Sequence, residues 1–363
     1  MPDSAERVPA NEIPHQPHGA AVLTPVRVDA YNAELRDEEG YVGDRASRRA
    51  FYAILEDWRD RLRTATGADP LAATRGQRLR KAQLAQILAR GGQDAAGTVL
   101  GAIEDFAQEL AAVVQRFLRL RDWRGTERIA VGGGFRAGRI GELAIARAAG
   151  LLVSAGQSVE LRPIRHHPDE AGLIGCAQLA PPWVFAGHDA LLAVDIGGSN
   201  FRAGVVQPRL GRRLDMRRAC LWRSEIWRHA DEKPSRKEAI EHLGGMLQRL
   251  VASSDKAGLH LAPFVGIGCP GLVRGDGRIE RGGQNLPGNW EAQGFSLPGS
   301  IRAALPSIGG HETTIVVHND AVVQGLSEAP FMRDVERWGV LTIGTGLGNA
   351  RFTNRTQPTS ETG

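Results

Sequence analysis

Cysteine is scarce in this sequence: Cys176, Cys220 and Cys269 are the three present, odd in number and far apart. That pattern argues against a disulfide framework and a thiolate metal site, and it suits a reducing cytosol. Long apolar runs are missing too, none reaching the ~18 residues of a membrane span. Arginine far outnumbers lysine, yet the net charge is only +4 at a pI of about 9.2. No dense basic run interleaves with aromatics, so no nucleic-acid surface is expected, whereas anionic small molecules such as nucleotides fit. The opening MPDSAERVPANEIPHQPHGAA is polar and proline-rich, unlike a secretory signal.

What is present suits a globular chain. Its 363 residues, 42% hydrophobic and 24% charged, are enough for about two domains with sizeable cores. Residues 1–40 read as loop, apart from AAVLTPVRV at 20–28, whose apolar residues suit strand pairing. From 44 to 64, Ala50, Ile54, Trp58 and Leu62 recur at fourfold spacing, which predicts an amphipathic helix. Two more helices follow, separated by Gly91-Gly92; then RIAVGGGF is a strand ending in three glycines, with a helix near 137–150. VELRPI reads as a strand and EAGLIGCAQLA as a small-residue helix. Further on, 191–197, 202–207, 264–268, 314–318 and 338–343 are short β-rich runs with a helix at 236–253 between them. Alternating strands and helices give an α/β architecture. The terminal RFTNRTQPTSETG is expected to be disordered.

Two stretches carry the same chemical logic. In DIGGSN, 195–200, a strand meets Gly197 and Gly198, which let backbone N–H groups approach phosphate oxygens; Ser199 adds a hydroxyl donor, with Asn200 beside it. Asp195 can hold Mg²⁺ through water, since that ion keeps several of its waters. The alternative is a plain tight hairpin. TIGTGLGNARF at 342–352 repeats the design with Gly344, Thr345 and Gly346, so two loops could clamp a polyphosphate. The run Gly132, Gly133, Gly134 could let a base or ribose lie against backbone. In HNDAVVQGL, Asn319 and Asp320 stand where a strand opens a helix; Asp320 is either a proton acceptor or a helix cap. Asn285, in the turn-rich NLPGNW, is the choice for a sugar pocket.

Taken together, DIGGSNFR, NLPGNW, HNDA and GTGLG resemble, in family order, the sugar kinases of the ROK family (repressor, open reading frame, kinase). Family members continue after GTGLG with elements that here lie in the first half: NEIPH at 11–15, EGYVGDRASRRA at 39–50, IAVGGGF and DEAGLIGCAQLA. The sequence therefore resembles a circular permutation of that family, entered after the second phosphate loop. The resemblance implies a two-lobed, actin-like (ribonuclease H-like) α/β sugar kinase fold, with 1–168 plus 331–363 as the larger lobe and 169–330 as the smaller. It implies Asp320 as general base, with Asn285 and Asn319 as sugar ligands and Glu12, His15 and Glu39 completing that pocket. Pro14 replaces the family glycine beside His15. ATP and Mg²⁺ would be used, with glucose as first choice of acceptor and a cytoplasmic homodimer as the assembly. With no cysteine in 1–175, no zinc is expected. Two alternatives remain: a sugar-responsive regulator, suggested by a helix-turn-helix-like stretch at 79–103, and a catalytically silent sugar binder.

Overall fold

The computed structural model describes residues 17–38, 40–72, 79–210 and 216–355. Ten strands build two five-stranded sheets. They are β1 (Val26–Tyr31), β2 (Arg128–Gly132), β3 (Glu160–Pro163), β4 (Ala190–Ile196), β5 (Phe201–Gln207), β6 (Cys220–Trp227), β7 (Leu261–Cys269), β8 (Thr314–Asn319), β9 (Arg337–Ile343) and β10 (Leu347–Asn354). The sheet orders are β1-β10-β9-β2-β3 and β6-β5-β4-β7-β8. Each sheet has three antiparallel strands followed by two parallel ones. The second is built from one continuous stretch of chain, 190–319, with β7 and β8 added beside β4 after the β4–β5–β6 meander. The first begins with the β9–β10 hairpin and takes its next strand, β1, from the other end of the sequence.

The helices sort by what they cover. α1 (Arg48–Thr66), α2 (Lys81–Arg90), α3 (Gln93–Arg119) and α4 (Arg139–Ser154) share one apolar core with the first sheet. In it Phe135 lies against Phe51 and Phe106, with ring centroids 5.0 and 4.8 Å apart. α5 (Pro168–Cys176) and α7 (Asp320–Leu326) share the central core with strands of both sheets, and α6 (Arg236–Lys256) covers the outer face of the second. α5 and α7 cross with no side chain between them: a Cβ on Gly175 would fall 1.6 Å from the Val323 carbonyl oxygen. Among the described residues no helix is long and apolar enough to cross a membrane.

Three local expectations need correction. In α1 the fully buried stripe is Phe51, Leu55 and Arg59, while Ala50, Ile54, Trp58 and Leu62 are half-buried. A charge occupies a core position because Glu56 and Asp69 pair with the Arg59 guanidinium. Residues 351–354 are ordered strand, not tail, because β10 has partners on both edges. The N-terminal strand is β1 at 26–31 rather than 20–28, and it does pair with β10, Val26 opposite Asn354. Ahead of it, the half-buried His18 accepts the Val317 N–H of the edge strand β8 on its Nδ1 at 3.1 Å.

Candidate functional site

A cavity of about 520 Å³ opens where the two strand–turn–strand hairpins meet. In the first, Asp195 near the end of β4 sits directly across from Arg202 on β5, and the turn closes with Gly197 N–H donating to Asn200 O at 2.9 Å. In the second, Gly344 N–H donates to Gly346 O at 2.9 Å. The Ser199 and Thr345 hydroxyls lie 3.5 Å apart across the gap although 146 residues separate them. Space for a ligand exists on the second turn, since a Cβ on Gly346 would meet nothing within 4 Å.

The glycine run after β2 joins this wall. Gly133 has φ +81, and a Cβ there would fall 2.5 Å from the Ile343 carbonyl oxygen, so only glycine lets β2 end flush against β9. Gly133 and Gly134 line the cavity; Gly132 does not, because it is still strand and faces the Gln324 side chain. Behind, the buried Asn349 amide holds the loop at Ala33 by two hydrogen bonds of 2.9 and 3.0 Å.

Asp320 and Asn319 divide their work differently from the sequence expectation. Asn319 is the helix cap: its Oδ1 accepts from the Ala321 and Val322 N–H groups, and its Nδ2 donates to Gly271 O and Asp320 Oδ1. It is 2% exposed, with its polar atoms engaged inside the protein and its side chain beside rather than among the cavity-lining residues. Because Asn319 caps α7, the Asp320 carboxylate is left to face the cavity as the first residue of the helix. Burial, and then the negative charge of Asp195, push its carboxyl up to about 7 against the pull of the Ala321 N–H. Asn285 lines the same cavity from an exposed turn fixed by the Trp290 indole N–H donating to Pro287 O at 2.8 Å. Glu12, His15 and Glu39 lie outside the described residues.

Two residues were not singled out from the sequence. Arg202 donates from Nη1 to Asp195 Oδ2 at 3.2 Å and from Nε and Nη2 to Asp169 Oδ1 at 3.0 and 2.7 Å. Burial raises the Asp195 carboxyl pKa and this guanidinium opposes the shift. Asp169 belongs to α5, which comes close because Gly172 has no side chain: a Cβ there would sit 2.6 Å from Asp195 Cγ. The strand pairing of Asp195 with Arg202 was available in DIGGSNFR, where a four-residue turn sets them opposite; Asp169 had no such signal.

Magnesium fits the donor set as an ion held mainly by phosphate and water. Among the described residues no three His, Cys, Asp or Glu side chains cluster, and Asp195 is the carboxylate beside the phosphate turn.

No family model matches the sequence, and no curated protein matches it. Among solved structures, a proposed sugar kinase from Cytophaga hutchinsonii aligns at 21% identity and TM-score 0.35 over 46% of this chain and 48% of its own. A proposed N-acetylmannosamine kinase from Listeria monocytogenes aligns at 23% identity and TM-score 0.33 over 46% and 47%. This chain thus spans about half the length of each.

Proposed function

We propose that this protein is an ATP-dependent sugar kinase of the ROK type, with its sequence circularly permuted and a hexose hydroxyl, first of all the glucose 6-OH, as acceptor. The observation that carries the reading is Asp320: a carboxylate released from capping duty, poised near neutrality, at a cavity walled by two glycine hairpins. A group of that pKa takes a proton from an alcohol at physiological pH more effectively than an ordinary carboxylate. The Ser199 and Thr345 hydroxyls and the open backbone of Gly346 and Gly134 suit a polyphosphate. Asn285 would orient the sugar. Bound Mg·ATP would supply the electrophilic phosphorus and neutralise its oxygens; Asp195 would hold the ion through water.

Permutation is supported by the topology. The first sheet matches the second in order only because β1 arrives from the start of the chain, where Arg355 N–H donates to Pro25 O at 3.1 Å. The proposed lobes are 1–168 plus 331–363, and 169–330. Against a DNA-binding regulator, α2 and the 27-residue α3 are part of the first sheet's own core, through Leu84, Val99 and Phe106. The test is an ADP-release screen over hexoses and N-acetylhexosamines. Release with one of them, lost in Asp320→Asn, is expected; a folded protein that releases ADP with none would sink the reading.

A further inference from the structure

We infer that Lys81 is a built-in cation that organises the glycine loop of the nucleotide wall, its ammonium filling a ring of main-chain carbonyls. Lys81 is the first residue of α2, and its Nζ donates to the carbonyl oxygens of Gly134, of Phe135 at 3.3 Å and of Ala137 at 2.8 Å. Three acceptors meet the three N–H bonds of one ammonium. Among the described residues no carboxylate shares the ring. Asp169 is the acidic group acting on it from a distance and Arg48 the basic one.

The loop cannot take this form for local reasons alone. It starts at Gly133 and ends at Gly138, both in the left-handed region at φ +81 and +87, with unobstructed space at Gly134 and Gly138. Between them Phe135 is turned fully into the core. Burying that ring leaves the surrounding carbonyls aimed at one point, where their dipoles repel one another unless a positive charge lies between them. A metal ion or a lysine can serve. Here burial, and then the nearby Arg48 charge, lower the ammonium's pKa from its ordinary value, and the carbonyls hold the charge in place. Because Gly133 and Gly134 line the cavity, the same ring fixes the backbone against which a nucleotide would lie. The second half of this inference rests on the proposed kinase activity; the first does not.

Lys81 is thus a positioning residue, and small cations should replace it. Lys81→Met keeps the apolar stem and removes the charge; Lys81→Ala leaves a hole a small cation can enter. In nucleotide-free protein, amides of 134–138 are expected to exchange about tenfold faster or more in Lys81→Met, the scale of losing charge-assisted hydrogen bonds. Nucleotide KM should rise by a similar factor with kcat little changed. Methylammonium or K⁺ should restore both in Lys81→Ala and leave the wild type unaffected. Unchanged exchange in Lys81→Met, or a Lys81→Ala defect indifferent to every small cation, overturns the inference. If the loop loosens and is rescued while even the wild type binds no nucleotide, the carbonyl ring stands and the kinase reading falls.

Discussion

The two hairpins are built on one plan and furnished differently. In both, the next-to-last strand pair before the turn lines the cavity. That pair is Asp195 with Arg202 in one and Thr342 with Gly348 in the other. The first pair is charged on both sides. In the second, Thr342 Oγ1 fills the place of a side chain on its partner, 2.4 Å from where a Cβ on Gly348 would be. On the proposed reading, the repeated sheet would fix where a phosphate group lies, and the residues in this one pair would decide which hairpin attracts a metal. Asp320 stands on neither hairpin. It comes from the strand–helix junction after β8, the second sheet's last parallel strand.

The largest effect that would sharpen this comparison is on Asp320. Asp320→Asn should cut kcat by ~10²–10⁴-fold with a smaller loss of sugar affinity, since a positioned general base is worth that much. Near-full turnover would return all the chemistry to the hairpins.

Next come the turns. Gly346→Val points into open space, so the protein should melt as the wild type does while nucleotide binding measured by calorimetry disappears. Gly198→Val should weaken sugar binding as well, because its Cβ would come 3.0 Å from Asn285 Cβ. Equal effects of the two would show that the hairpins are interchangeable.

A pH dependence follows from Asp320. With its carboxyl at about 7, kcat/KM for sugar should climb with pH and level off above that value. Stability runs the other way. The folded state holds this proton more tightly than the unfolded chain, whose carboxyl titrates near 3.8, so its contribution to stability falls as pH rises from there through about 7. Asp320→Asn should therefore melt higher than the wild type at about pH 8, with the difference closing toward pH 4.

The smallest effect is expected from re-routing the chain. Joining the two ends through a flexible linker and opening new ones within 181–187, between the two sheets' segments, should leave the fold and the ADP release near wild type. Pro25 and Arg355, near the two limits of the described chain, are already hydrogen-bonded, so a linker between these segments should add little strain. A protein that no longer folds would mean the present order of segments is needed by the first sheet.

The sequence was most legible where local geometry is strict. Glycine turns flanked by apolar strands located both hairpins, and the strands 190–196, 201–207 and 337–343 fall within a residue or two of expectation. It was less legible where two residues compete for one role. HNDA contains two helix-capping side chains, and only the structure shows that Asn319 caps while Asp320 faces the cavity. Lys81 and Asp169 could not be read at all: each acts on a segment far away in sequence, and nothing in the pattern of α2 or α5 marks it. In α1 the apolar spacing misplaced the buried face by one position because Arg59 is buried there with its counter-charges.

The position of β1 also governs the time course of folding. β1 and β10 are neighbours, and Ala33 bonds to Asn349 across 316 residues, whereas the second sheet closes within 190–319. Contacts so distant along the chain form slowly, because a long loop must close before any of them repays its entropy. During synthesis, β1 to β3 and their helices must wait for the last strands, with the edge of β2 that later meets β9 unpaired. Refolding should show a fast phase in which the second sheet gains exchange protection and a slower one for the first. The half of the protein made first would be the half completed last.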